Sequence, residues 1–262
     1  MSEKSYVKSP QNAVNRLRNR ANYDYETIHN IVNSTAVLHV SFVPSSEDPF
    51  PVVLPMIGQM GTFALPSSTD LDQPLDLYLH GAIASRIMKL SQNAVDRGEE
   101  GFPLCVAATK VDGYVLALTP FHHSYNFRSA VVHGYAHVVA DPDEKMWALE
   151  LITNKIVPER WQNTRTPPNK VEMQSTHILK MKVSSGSAKL RWGVPNNDRG
   201  DLKNPDVLAN YWAGVVPMWE TFGEPISSAH NQAPVPKYLS GYLEEARREN
   251  EAVAMEASKE QE

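Results

Sequence analysis

Cysteine is nearly missing from the 262-residue chain: Cys105 stands alone, so no intrachain disulfide forms. The run Leu104-Cys105-Val106-Ala107-Ala108 around it favours a buried thiol over a nucleophile. That usage suits a reducing compartment. No apolar run approaches the length of a membrane span, and the polar first eleven residues lack the apolar core of a signal peptide, so a soluble, cytoplasmic protein is expected. An excess of positive charge is missing too. With 25 Lys and Arg against 30 Asp and Glu, the net charge of -5 argues against a broad nucleic-acid footprint or an electrostatic membrane anchor. The absence of Cys-x-x-Cys argues against a dedicated zinc site, and His122 and His123, being adjacent, would point to opposite faces of a strand. Without a Walker loop or Gly-x-Gly-x-x-Gly, an NTPase or a Rossmann dehydrogenase is not expected.

What is present is a series of short β-rich runs with a few helices. Leu75, Leu77 and Leu79 alternate with Asp76, Tyr78 and His80, the pattern of a half-buried strand, and Ile87, Leu90, Ser91 and Ala94 then recur on one helical face. The chain therefore switches from strand to helix between Gly81 and Ser85. Upstream, Asp24 is placed to cap a short helix with the stripe Tyr25, Ile28, Ile31 and Val32. Residues 35–43 and 50–57, separated by Pro44-Ser45-Ser46-Glu47-Asp48-Pro49, predict an antiparallel pair, and residues 61–73 a loop or ragged hairpin. Downstream, residues 104–111 and 114–119 flank Asp112-Gly113, which predicts a two-residue type I′ hairpin. A further strand is expected over residues 129–140. Asp141-Pro142-Asp143-Glu144 supplies an N-cap, a first-turn proline and a capping-box acid for a helix ending before Pro158. Leu179, Met181 and Val183 alternate with Lys180 and Lys182, giving a last strand with one buried and one wet face. The expected architecture is mainly β, a six-stranded antiparallel barrel with peripheral helices. Residues 1–22, with Arg16, Arg18 and Arg20, read as a basic arm, residues 23–226 as the domain, and residues 227–262 as an extension that frays from Glu244 onward.

Ser85 and Arg86 fall at the helix start. Unpaired backbone N–H groups and the macrodipole favour an anion there, and a hydroxyl and a guanidinium would complete a phosphate cradle. The plainer alternative is that Ser85 caps the helix and Arg86 is solvated. Three more clusters bear on the choice: Phe121-His122-His123-Ser124-Tyr125-Asn126-Phe127-Arg128-Ser129, Ser187-Ala188-Lys189-Leu190-Arg191-Trp192-Gly193, and Tyr211-Trp212-Ala213-Gly214. The last two set a Trp near a Gly, suited to stacking on a planar ring while the backbone comes close.

In order and spacing, Arg20-Ala21-Asn22-Tyr23-Asp24, Leu79-His80-Gly81 with Ser85-Arg86, Asp112-Gly113, His123 to Ser129, Ser187-Ala188-Lys189 and Trp212-Ala213-Gly214-Val215 resemble the FMN-binding split-barrel superfamily related to pyridoxamine 5′-phosphate oxidase, in particular its flavin-nucleotide-binding branch that includes nitroimidazole-resistance proteins. The resemblance implies a Greek-key split barrel and a homodimer with FMN across its interface. It implies the phosphate at Ser85 and Arg86, the ring or ribityl chain along His80, Gly81 and Ala82, and the flavin edge against Pro55, Met56 and Ile57. Ser124, Asn126 and Arg128 would reach the cofactor from their loop, and Trp212 would cover the ring from the partner subunit. His80 is left with three readings: a donor to flavin or substrate, a metal ligand, or a cap on a sheet edge. As the resemblance implies, His80 and Arg128 are the candidates for orienting substrate or stabilising charge, in an oxidoreductase that passes electrons from NAD(P)H through FMN to a small, planar or nitro-bearing acceptor. The competing readings are a haem-handling split barrel in which a His ligates iron, and a flavin or tetrapyrrole carrier without turnover. Phe127 stands where such proteins often have Tyr, and vitamin B6 oxidation is not expected.

Overall fold

The computed structural model describes residues 4–45, 47 and 49–260. Its elements in chain order are β1 (Ala21–Asn22), α1 (Tyr25–Ser34), β2 (Leu38–Phe42), β3 (Val52–Met56), β4 (Gly58–Gly61), β5 (Asp76–Ala82), α2 (Arg86–Asp96), β6 (Phe102–Leu116), β7 (Ser124–Val138), α3 (Pro142–Ile156), α4 (Lys170–Ser175), β8 (Thr176–Arg191), α5 (Pro205–Asn210), β9 (Gly214–Pro217) and α6 (Lys237–Ala257). The chain forms two compact units, Met1–Thr109 with Ser129–Lys189, and Lys110–Arg128 with Leu190–Glu262.

In the first unit the strands follow the order β3-β2-β6-β7-β8-β5-β4, with β1 paired to β8. The antiparallel pairs β2–β3 and β4–β5 form the two ends of this path. Met56 closes β3 and Gly58 opens β4, so Ile57 alone joins the ends, and the sheet must curl until its edges meet there. The architecture is the expected one, mainly β and antiparallel with helices around it. The sheet has nine strands rather than six, and among the described residues no pairing of β3 with β4 closes it.

Alternation decides what each strand buries. Leu38, Val40, Leu77, Leu79, Val106, Val132, Leu179 and Met181 are buried together on one side, each worth roughly 1.5–3 kcal/mol over exposure. The other side of β5 and β8 is covered by α3, whose Ala148 and Ile152 pack with Tyr78, Val139 and Ile178. The wet face expected beside Leu179 and Met181 is wet at Lys182 only. Lys180 is half-buried and pairs with Glu144 at 2.8 Å, so Glu144 serves this pair rather than the capping box, while Asp141 alone caps α3.

The amino-terminal arm is docked rather than solvated. Tyr6 is buried, and its hydroxyl lies 2.7 Å from His29 Nε2, while His29 Nδ1 lies 2.9 Å from the Leu71 carbonyl. A carbonyl only accepts, so Nδ1 carries the proton and Nε2 accepts from Tyr6. Burial pushes the His29 imidazole down to about 4 and the Tyr6 phenol up. Asn12 adds Nδ2 bonds to the carbonyls of Val7 and Gly186, each 3.0 Å. Arg16 and Arg18 stay exposed.

The second unit overturns the hairpin expected at Asp112-Gly113. β6 runs straight through both residues from Phe102 to Leu116. The Asp112 carboxylate, 3 % exposed, takes a two-pronged bond from Arg128, Nε at 2.9 Å and Nη2 at 2.7 Å. Gly113 is needed for a close approach: a Cβ there would lie 2.9 Å from the Val216 carbonyl oxygen on the paired strand β9. A turn-forming dipeptide is thus used for its small volume and its charge. The tail expected to fray from Glu244 is instead helical through Ala257, with Ala254 and Ala257 buried. Asn126 Nδ2 donates to the Ala257 carbonyl at 2.8 Å and to that of Gly193 at 3.2 Å, and Arg191 donates to Asn126 Oδ1.

Candidate functional site

The strand-to-helix switch lies where the alternation predicts it. Ser85 has extended backbone angles (φ -65°, ψ 144°) and occupies the N-cap of α2, with its own N–H donating to the Ala82 carbonyl at 2.9 Å. Asp24, Asp141, Asn169 and Asn204 each accept a first-turn N–H of the helix they cap. The Ser85 hydroxyl does not, and it is buried with no hydrogen-bond partner. The first turn of α2 holds no acid. Arg86 is exposed, and among the described residues its guanidinium makes no bond. Gly81 completes the floor, since a Cβ there would lie 3.0 Å from Met88 Cε, 3.5 Å from Met56 Cε and 4.0 Å from Ser85 Oγ. Unspent N–H groups, a buried hydroxyl and an adjacent exposed cation thus lie at the start of α2, a combination that favours an anion.

His80 belongs elsewhere. Consecutive strand residues project to opposite faces, so His80 shares the face of Tyr78, toward α3, while Gly81 shares that of Leu79. His80 lines a cavity of about 330 Å³ whose walls include Ile57, Leu149, Ile152, Trp161 and Met173, with Arg165 and Glu172, an ion pair, among its lining residues. Its imidazole makes no hydrogen bond to a described residue, and its backbone N–H donates to the Ile57 carbonyl at 3.3 Å. On the same face, Tyr78 donates to Glu144 at 2.7 Å and Lys180 sits 3.4 Å from Asp76. Burial pushes the Asp76 carboxyl up, against the pull of Lys180.

The sequence-derived set therefore divides. Met56, Gly81 and Ser85 come together, with Ala82 the last residue of β5 and Arg86 the first of α2. Ile57 and His80 line the second cavity. Pro55 pairs with His39 on β2 and is exposed. Ser124, Asn126, Arg128 and Trp212 all belong to the second unit. There Asn126 and Arg128 are engaged within the fold as described, Ser124 is half-buried, and the exposed Trp212 ring lies against Gly214. Sequence reasoning missed the walls supplied by α3, α4 and residues 157–169, because nothing in their apolar spacing distinguishes a cavity wall from ordinary core. Among the described residues no three His, Cys, Asp or Glu side chains gather as a metal site. His133 and His137 have the four-residue spacing that on a helix would share an ion, but on β7 they stand about 13 Å apart. Among the described residues no helix is long and apolar enough to cross a membrane.

The curled antiparallel sheet with its helix start is the setting for the comparisons with known proteins. The family model described as pyridoxamine 5′-phosphate oxidase matches residues 24–190, and the chain belongs to that family. Among solved structures, the flavocytochrome Anf3 from Azotobacter vinelandii is 25% identical, with 90% of this chain and 98% of that chain covered at a TM-score of 0.72. The FAD and heme binding protein from Mycobacterium smegmatis is also 25% identical, with 86% and 97% covered at a TM-score of 0.68. A putative 5-nitroimidazole antibiotic resistance protein from Bacteroides thetaiotaomicron is 19% identical over 64% of this chain and 85% of that one, at a TM-score of 0.46. No curated protein matches the sequence.

Proposed function

We propose that this protein is a flavin-dependent oxidoreductase that holds FMN with its phosphate at the start of α2. The observation that carries this is the buried, partnerless Ser85 hydroxyl beside the free Arg86 and the acid-free first turn. Leaving such a hydroxyl unmatched costs about 1–3 kcal/mol, and a phosphate oxygen would satisfy it. Gly81 and Met56 would let the bound group lie close to the strand. When bound, the flavin supplies acceptance of a hydride and release of electrons in ones or twos. The chain's own part is to anchor the phosphate, exclude water and orient the reactants. We assign NAD(P)H as donor, a small planar or nitro-bearing molecule as acceptor, and a homodimer in which Trp212 of the partner subunit covers the ring. Family membership and the likeness to two flavin proteins support the reading. Purified protein should show flavin absorbance or release heat with added FMN, and bind riboflavin, which lacks the phosphate, far more weakly. Colourless protein silent to FMN and FAD alike would end the proposal. Stronger heat with FAD would replace the nucleotide but keep the site.

The apolar walls of the His80 cavity support a second cofactor, because two similar structures are named for haem as well as flavin. In this reading the unengaged imidazole of His80 would hold the iron. Added haemin should give a haem Soret band, lost in His80→Ala while FMN binding persists.

A further inference from the structure

A separate cavity of about 560 Å³, sharing no residue with the one at His80, opens in the first unit where the docked arm crosses β2, β6, β7 and β8. That volume is in the range of small-molecule sites. Its floor carries small side chains: Ser41 and Cys105 are paired neighbours on β2 and β6, which leaves a flat slot over the sheet, and Gly134 on β7 also lines it. Phe42, Val43, Pro103 and Leu104 add apolar walls. The roof, Val7 to Gln11, is pinned on either side by Tyr6 on His29 and Asn12 on Gly186.

No lining residue is Asp, Glu, Lys or Arg. Burial pushes His133 below its ordinary pKa and so favours its uncharged form. A charged ligand would find no countercharge and would lose its hydration uncompensated. Three lining side chains, the Gln11 amide, the Ser41 hydroxyl and the Tyr135 phenol, make no hydrogen bond among the described residues, and all three can donate. The complement of a flat, uncharged slot rich in free donors is a flat, uncharged ring rich in acceptors. We propose that this cavity binds an uncharged planar carbonyl compound of the quinone class, its oxygens accepting from Ser41 and Tyr135. This binding stands independently of the flavin reading.

Cys105 is the chain's single cysteine and lines the slot, so thiol labelling reports on this cavity alone. The probe is duroquinone, whose fully substituted ring does not add thiols. At ten times its dissociation constant it should slow labelling of Cys105 by N-ethylmaleimide roughly tenfold. Tyr135→Phe, which keeps the ring, should weaken calorimetric binding about five- to tenfold, and Ser41→Trp, which fills the slot, should abolish it. The anionic anthraquinone-2-sulfonate should protect neither protein. Unchanged labelling with no heat would overturn the proposal. So would equal protection by the sulfonate, or a Tyr135→Phe protein that binds as tightly as its parent.

Discussion

Ser85 with Arg86 in the first unit and Asn126 with Arg128 in the second are similar side chains put to opposite uses. Arg128 closes both prongs on a buried carboxylate, and Asn126 spends both amide hydrogens on carbonyls within its own unit. Ser85 and Arg86 spend nothing among the described residues. All four fit the same family pattern in the sequence, so pattern alone could not separate a binding group from a structural one. Hydrogen-bond accounting does, because a buried polar group left open, as the Ser85 hydroxyl is, is held open at a cost, and the exposed Arg86 is free to reach a ligand.

The largest expected effect tests the spent pair. Arg128→Met leaves the Asp112 carboxylate buried without a partner and should cost about 3–5 kcal/mol in chemical denaturation; an unchanged midpoint with lost flavin binding would reverse the comparison. His29 is a spent group of the first unit. Its folded pKa of about 4 lies below the ordinary 6.5, so between those values the unfolded chain binds more protons. Stability should be whole above about pH 6.5 and fall as the pH drops toward 4, by up to about 3 kcal/mol. His29→Gln should flatten that slope in a pH series of melts.

Arg86→Ala tests the open pair and should leave the melting curve alone. FMN affinity should fall by about ten- to more than a hundredfold, or 1.5–3 kcal/mol, with riboflavin hardly affected. Arg86→Lys should recover only part, since an ammonium cannot reproduce the planar fork. Equal losses for both ligands would return Ser85 and Arg86 to a helix-cap role. The smallest effect is Ser85→Ala: stability should change by less than about 1 kcal/mol, because no bond is lost, while FMN binding weakens about fivefold. A large loss of stability would mean that Ser85 is spent after all.

The strand and helix around Gly81 were legible because period 2 gives way to period 3.6 within sixteen residues, and both signals are local. The Asp112-Gly113 hairpin was misread for the converse reason. Its two residues answer to Arg128, sixteen positions on, and to Val216, more than a hundred positions on, which no short window contains. α6 escaped notice because only Ala254 and Ala257 are buried on it, too faint a stripe in so charged a segment. The helix start is legible in the sequence, and the same alternation that marks the strand puts His80 and Gly81 on opposite faces of it.

Ile57 gives the two sites a common joint. It is the one residue between the sheet's two ends, each held by its own ladder, β3 to β2 and β4 to β5. Met56, next in the chain, reaches the Gly81 floor, while Ile57 itself lines the His80 cavity and offers its carbonyl to the His80 N–H. Met56 and Ile57 share one rigid peptide plane, so the floor at Gly81 and the wall of the His80 cavity are built from adjoining residues of one short joint.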